Sequence, residues 1–90
     1  MNLYLLTQST SRGYDTYDSC VVCAPDRDAA RLTFPREGYE WRGGAWRMVD
    51  SAHISNHHSW AKPENVVAIE LGTANEALQP GVVCASFNAG

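Results

Sequence analysis

Two adjacent glycines, Gly43 and Gly44, interrupt the stretch Tyr39-Glu40-Trp41-Arg42 before Ala45-Trp46-Arg47-Met48, and no other feature of the sequence constrains the fold as much. Both central residues of a type I′ turn need positive φ. Glycine adopts it without steric cost, and the twist of such a turn matches that of the strands it joins. Counting outward from the turn sets the register: Arg42 opposite Ala45, Trp41 opposite Trp46, Glu40 opposite Arg47 and Tyr39 opposite Met48. Side chains alternate between the faces of a strand, so Tyr39, Trp41, Trp46 and Met48 share one aromatic and apolar face, and Glu40 pairs with Arg47 on the other.

The remaining elements are read from period and punctuation. Asn2 to Gln8 (NLYLLTQ) is a strand running into the polar loop Ser9 to Gly13. Gly13 to Asp18 reads as a turn-forming, aromatic and acidic segment, and Ser19 to Ala24 (SCVVCA) as an uninterrupted apolar strand covered on both faces. A short helix is expected from about Pro25 to Thr33. Pro25 suits its first position, Asp26 and Asp28 its positive end, and Ala29, Ala30 and Leu32 its packed face; Pro35 stops it. Asp50 to Lys62 has weak periodicity and reads as mostly irregular, and Pro63 to Asn65 as a turn. Val66 to Leu71 alternates, with Val67, Ile69 and Leu71 on one face and Val66, Ala68 and Glu70 on the other. Val82 to Phe87 (VVCASF) reads as a final, buried strand.

A chain of 90 residues has room for one hydrophobic core, so residues 1–90 form a single domain. The expected class is α+β: a small, mainly antiparallel sheet of about four strands, one short helix packed on it, and an additional Trp-containing β-hairpin. With 44% apolar and 19% charged residues the composition is that of a globular chain.

Charge disfavours nucleic acid as a partner. Seven basic residues are scattered among ten acidic ones, for a net charge of −3, and no cluster of cations is available to displace phosphate counterions. No apolar run approaches the length needed to span a bilayer, and the first residues lack the basic start and small-residue cleavage site of a secretory signal. A cytoplasmic location is expected, where the three cysteines, Cys20, Cys23 and Cys84, would remain thiols.

Cys20-Val-Val-Cys23 with His53, His57 and His58 superficially resembles a zinc ligand set. Two cysteines three apart in a strand point to opposite faces, and the 29-residue spacer to His53 is longer than a zinc finger uses. Neither a metal nor any other cofactor is expected; a redox pair would sit at a helix N-terminus that lowers its thiol pKa, which only Cys23, just before Pro25, approaches, and the pairing geometry is absent. The chain has no G-x-S-x-G elbow, no phosphate-cradling glycine loop and no H-E-x-x-H, so no enzyme is expected.

Two stretches remain as partner-binding candidates. One is the acidic, aromatic loop with Tyr14, Asp15, Tyr17 and Asp18; tyrosine is enriched in interfaces and loops carry function. The other is the hairpin, with Tyr39, Trp41, Arg42, Trp46 and Arg47. Each has a structural alternative. The aspartates can bond their own turn, and the two indoles can complete the core of so small a domain.

The start Leu3-Tyr4-Leu5-Leu6-Thr7-Gln8, the run Gly13-Tyr14-Asp15-Thr16-Tyr17-Asp18-Ser19, the segment Trp60-x-x-Pro63-Glu64-x-Val66 and the ending Pro80-Gly81-Val82-Val83-Cys84-Ala85-Ser86-Phe87-Asn88-Ala89-Gly90 together resemble a family of short phage and prophage proteins of unassigned role. The likeness covers about two thirds of the chain and does not extend to residues 36–59. A small acidic phage protein without catalytic motifs is similar in style to anti-CRISPR inhibitors. The resemblance therefore implies a bacterial host protein as partner, a defence nuclease or its complex, bound in the host cytoplasm. Two other readings stand beside it: a small-molecule or metal-binding module, and an accessory protein of the phage particle.

Overall fold

Asn2–Thr7 (β1) and Thr16–Ala24 (β2) form the antiparallel pair at the centre of the molecule in the computed structural model, which describes residues 1–50 and 59–89. Val67–Thr73 (β5) joins the free edge of β1 and Gly81–Asn88 (β6) the free edge of β2, both antiparallel, giving a four-stranded sheet in the order β5-β1-β2-β6. The chain crosses from one edge to the other in residues 74–80. Three interstrand spacings are about 14 Å, within the ~23 Å that seven extended residues reach. Between β2 and β5 come a helix, Arg27–Arg31 (α1), the hairpin Tyr39–Arg42 (β3) with Ala45–Met48 (β4), and a 3-10 turn at Pro63–Asn65. The architecture is the expected α+β one.

The hairpin has the register counted from its glycines, Trp41 opposite Trp46 and Glu40 opposite Arg47, with φ of 62° and 78° at Gly43 and Gly44. One detail differs. The Glu40 carboxylate pairs at 3.0 Å with Arg42, two residues along its own strand, while Arg47 turns back to donate from Nε to the Arg42 carbonyl at 2.9 Å. The i,i+2 partner lies on the same face, and the Arg42 carbonyl at the turn is within reach of the Arg47 guanidinium.

One face of the sheet carries the core. Tyr4 and Leu6 of β1, Cys20 and Val22 of β2 and Ala68 of β5 pack there against Ala30 of α1, Phe34, Trp46 of the hairpin, and Trp60, Ala61 and Val66. Strand alternation selects them: Tyr4 lies opposite Val22, Leu6 opposite both Cys20 and Ala68. The helix is shorter than expected. Asp26, rather than opening the first turn, is its N-cap, with extended φ and ψ, and its side chain accepts from Ala29 N at 2.7 Å. Ala30 is buried and Ala29 half-buried, but Leu32 is exposed, because it lies at the C-cap, off the packed stripe.

Three further expectations change. Thr16 to Asp18 belongs to β2 and not to a turn, because β6 extends far enough to pair Thr16 with Asn88 and Tyr17 with Phe87. The apolar run of β6 is not buried: it forms a sheet edge, and from Val83 onward every side chain in it is exposed. In β2 only one face is enclosed along its length. Val21 and Ser19 on the other face are half-buried, and Cys23 at its end is enclosed. Among the described residues no helix is long and apolar enough to cross a membrane.

Candidate protein-contact site

The loop after β1 is held by side chains that fix its shape. Gln8 spans it, donating from Nε2 to the carbonyls of Ser11 (2.7 Å) and Tyr17 (2.9 Å) and accepting at Oε1 from the amides of Thr10 and Ser11. The Gly13 carbonyl accepts from Thr16 Oγ1 at 2.8 Å and from Asn88 Nδ2 at 2.7 Å, and Asp15 N donates to the Asn88 carbonyl at 2.6 Å. Asp15 itself has φ of 61°, a left-handed conformation that Asp tolerates better than most residues. Gln8, the Gly13 to Ser19 run and Asn88, far apart in the sequence, thus converge on one end of the β2–β6 pair. Above them Tyr14 stands 77% exposed. Asp18 is exposed at a register shift of β2.

From this loop a series of ring contacts runs to the hairpin. Phe87 lies 4.8 Å from Tyr17, which meets Phe34 edge-on at 6.2 Å; Phe34 lies 4.8 Å from Tyr39 and 5.2 Å from Trp46, and Trp46 meets Trp41 edge-on at 5.2 Å. Offset and edge-on geometries are those that ring quadrupoles favour. The middle is interior: Trp46 is fully buried, with Nε1 donating to the Ala61 carbonyl at 3.0 Å, and Phe34 is buried beside it. The ends are open. Phe87 is 47% exposed, and Tyr17, Tyr39 and Trp41 are half-buried.

Two clefts flank the series. Asp15, Tyr17, Phe34, Arg36, Tyr39 and Phe87 line one of about 340 Å³, in which an arginine and an aspartate border an aromatic floor. The other, of about 460 Å³, lies against Trp41, Trp46, Trp60 and Lys62.

The expected contact residues therefore separate. Asp15, Tyr17 and Tyr39 line the smaller cleft, and Tyr14 and Asp18, both exposed, are their neighbours along the chain. Trp46 leaves the set, because a side chain with no exposed surface cannot touch a partner, and Trp41 stays at the margin as a half-buried wall. Arg42 and Arg47 do not flank the aromatic face. Their register puts them on the opposite face of the hairpin with Glu40. Phe34, Arg36 and Phe87 were absent from the expected set. Phe34 and Arg36 flank Pro35 between predicted elements, where no period speaks for them, and Phe87 was assigned to a buried strand.

The cysteines show no convergence. Cys20 lies opposite Leu6 on the core face, and Cys23 opposite Leu3 on the other; both are buried, while Cys84 is exposed opposite Val21. Burial pushes the Cys20 thiol up to about 12, with a smaller push from the charge of Cys84. Among the described residues no three His, Cys, Asp or Glu side chains are grouped as metal ligands would be. His53, His57 and His58 lie outside the described residues.

No protein-family model, no curated protein and no solved structure matches the chain. Its own side chains and the geometry above carry the functional reading.

Proposed function

We propose that the chain is a binding protein that acts by direct contact with another protein, through the surface formed by Tyr14, Asp15, Tyr17, Tyr39 and Phe87, and that it has no catalytic role. The observation that carries this reading is the braced loop. Gln8, Thr16 and Asn88 spend their hydrogen bonds on holding a turn from which a tyrosine stands 77% exposed. Rigid aromatic anchors lose little entropy on docking, and they dominate the energetics of protein interfaces. Asp15 and Asp18 beside it, in a chain of net charge −3, suit a partner with a basic surface.

The finer reading is that this partner is a bacterial defence protein, blocked in the manner of an anti-CRISPR inhibitor in the host cytoplasm. What supports it is the resemblance of the Gly13 to Ser19 run and the terminal motif to short phage proteins. Affinity capture from a bacterial lysate, comparing the natural chain with Tyr14→Ala and Phe87→Ala, tests both levels. A captured defence nuclease complex, lost or weakened by roughly tenfold or more with each variant, is the expected result for hot-spot side chains. Capture unaffected by either variant would place the contact elsewhere, and a chain that neither captures such a complex nor protects phage from a defended host is not an inhibitor of this kind.

A second reading has its own observation. The larger cleft, about 460 Å³, falls within the size range of small-molecule sites and has indole walls, and Trp60 Nε1 is buried without an acceptor among the described residues. Native mass spectrometry of the purified chain distinguishes it by a co-purifying ligand.

A further inference from the structure

The sheet has a second face, and its composition is unusual for a surface. Leu3, Leu5 and Thr7 of β1 lie there opposite Cys23, Val21 and Ser19 of β2; Val67 and Ile69 of β5 lie opposite Thr7 and Leu5, and Cys84 and Ser86 of β6 opposite Val21 and Ser19. Leu71 falls at the register shift of β5 beside Leu3. An antiparallel sheet covered on one side ordinarily turns polar side chains outward. Here β5 does the reverse. Its small Ala68 enters the core, Glu70 lies on the core side, and Val67, Ile69 and Leu71 stand 54%, 48% and 54% exposed. None of these side chains is charged, and the nearest charge along β2 is Asp18 at the margin. The buried side chains of the helix, the hairpin and the Trp60 segment all join the cluster on the other side.

We infer that this face is the interface of a homodimer, in which two copies stack their sheets face to face about a two-fold axis. Transient contacts with a different protein use surfaces about as polar as the rest of the molecule. A strand face without charged side chains and dominated by apolar ones, with Thr7, Ser19 and Ser86 confined to one row, has the composition of a homodimer interface. The area fits. The face offers on the order of 500 Å² per copy, so two copies together remove about 1,000 Å² from water, where specific interfaces begin. Aligned sheets pack about 10 Å apart with their inner side chains interdigitated, a geometry open to the array of Leu3, Leu5, Val21, Val67 and Ile69 on two copies. The tyrosine loop and the ring series remain outside the interface, so each dimer would present two copies of the contact surface.

Sedimentation equilibrium of the purified chain tests this. A mass of about 20 kDa is expected, twice the 9.9 kDa of one chain, falling to 9.9 kDa for Ile69→Lys and for Leu71→Lys, each with an unchanged far-UV circular dichroism spectrum. Trp41→Ala, off this face, keeps the dimer mass. Maleimide labelling provides a second readout, since Cys84 is the exposed thiol and lies on the face. It should react several-fold more slowly in the natural dimer than in either lysine variant. A natural chain that sediments at 9.9 kDa at micromolar concentrations overturns the inference, and so does a 20 kDa mass that survives in both lysine variants. If a lysine variant fails to fold, the natural chain decides alone: Cys84 labelling as fast as in urea also overturns the inference.

Discussion

Trp46 reaches the centre of the core and still satisfies its indole N–H, on the Ala61 carbonyl at 3.0 Å, so that one side chain ties the hairpin to the segment before the 3-10 turn. Truncating it removes a large buried ring, its contacts with Phe34 and Trp41, and that hydrogen bond. Trp46→Ala should cost about 3 to 5 kcal/mol, read as a lower urea midpoint, and Trp46→Phe less, because most of the ring volume stays. Cys20 predicts an alkaline limit. Its thiol is raised from 9.0 to about 12 in the folded chain, chiefly by burial, so the unfolded chain loses the proton first. The stabilisation is complete below pH 9 and is lost as pH climbs towards 12, at up to about 1.4 kcal/mol per pH unit. Urea midpoints measured between pH 8 and pH 11 should fall less steeply for Cys20→Ala than for the natural chain; equal slopes would assign the alkaline loss to other groups.

At the scale of elements, the hairpin was the most legible part, because a local rule about φ sets its turn and counting sets its register. Gly44 has nothing within 4 Å of where a Cβ would stand, so its conformation alone makes it glycine. Gly44→Ala should therefore lose about 1 kcal/mol or more to backbone strain, with an unchanged dependence of stability on urea. Thermal unfolding followed by tryptophan fluorescence would show it, and a neutral result would mean that the turn can change type. The helix was legible in place but not in extent. Asp26 serves the amides of the first turn better as a cap than Pro25 serves as a start, which moves the first helical residue to Arg27. The last strand was misread for a definite reason. An apolar run with β-branched residues has the same appearance at a sheet edge as in its centre, and only the strand order shows that β6 has one neighbour.

For the whole molecule, the alternation of Val66 to Leu71 was correctly divided into two faces, yet nothing in the pattern said which face the core would take. The fold enclosed Val66 and Ala68, which join Trp46, Trp60 and Phe34 in the core, and left Val67, Ile69 and Leu71 exposed. The contact surface divides in the same way. Tyr14, Tyr17 and the aspartates could be singled out from their own loop, whereas Phe34, Arg36 and Phe87 join them only because β6 returns beside β2 and the chain after the helix folds over the sheet. The sequence by itself determined what depends on neighbours in the chain: the glycine turn, the strand periods, the helix stop, the opposed directions of Cys20 and Cys23, and the α+β class. Tertiary structure decided which of two apolar faces is covered, which strand lies at an edge, and which distant rings meet. Those are set by competition among large side chains for one enclosed volume, and that competition has no local signature.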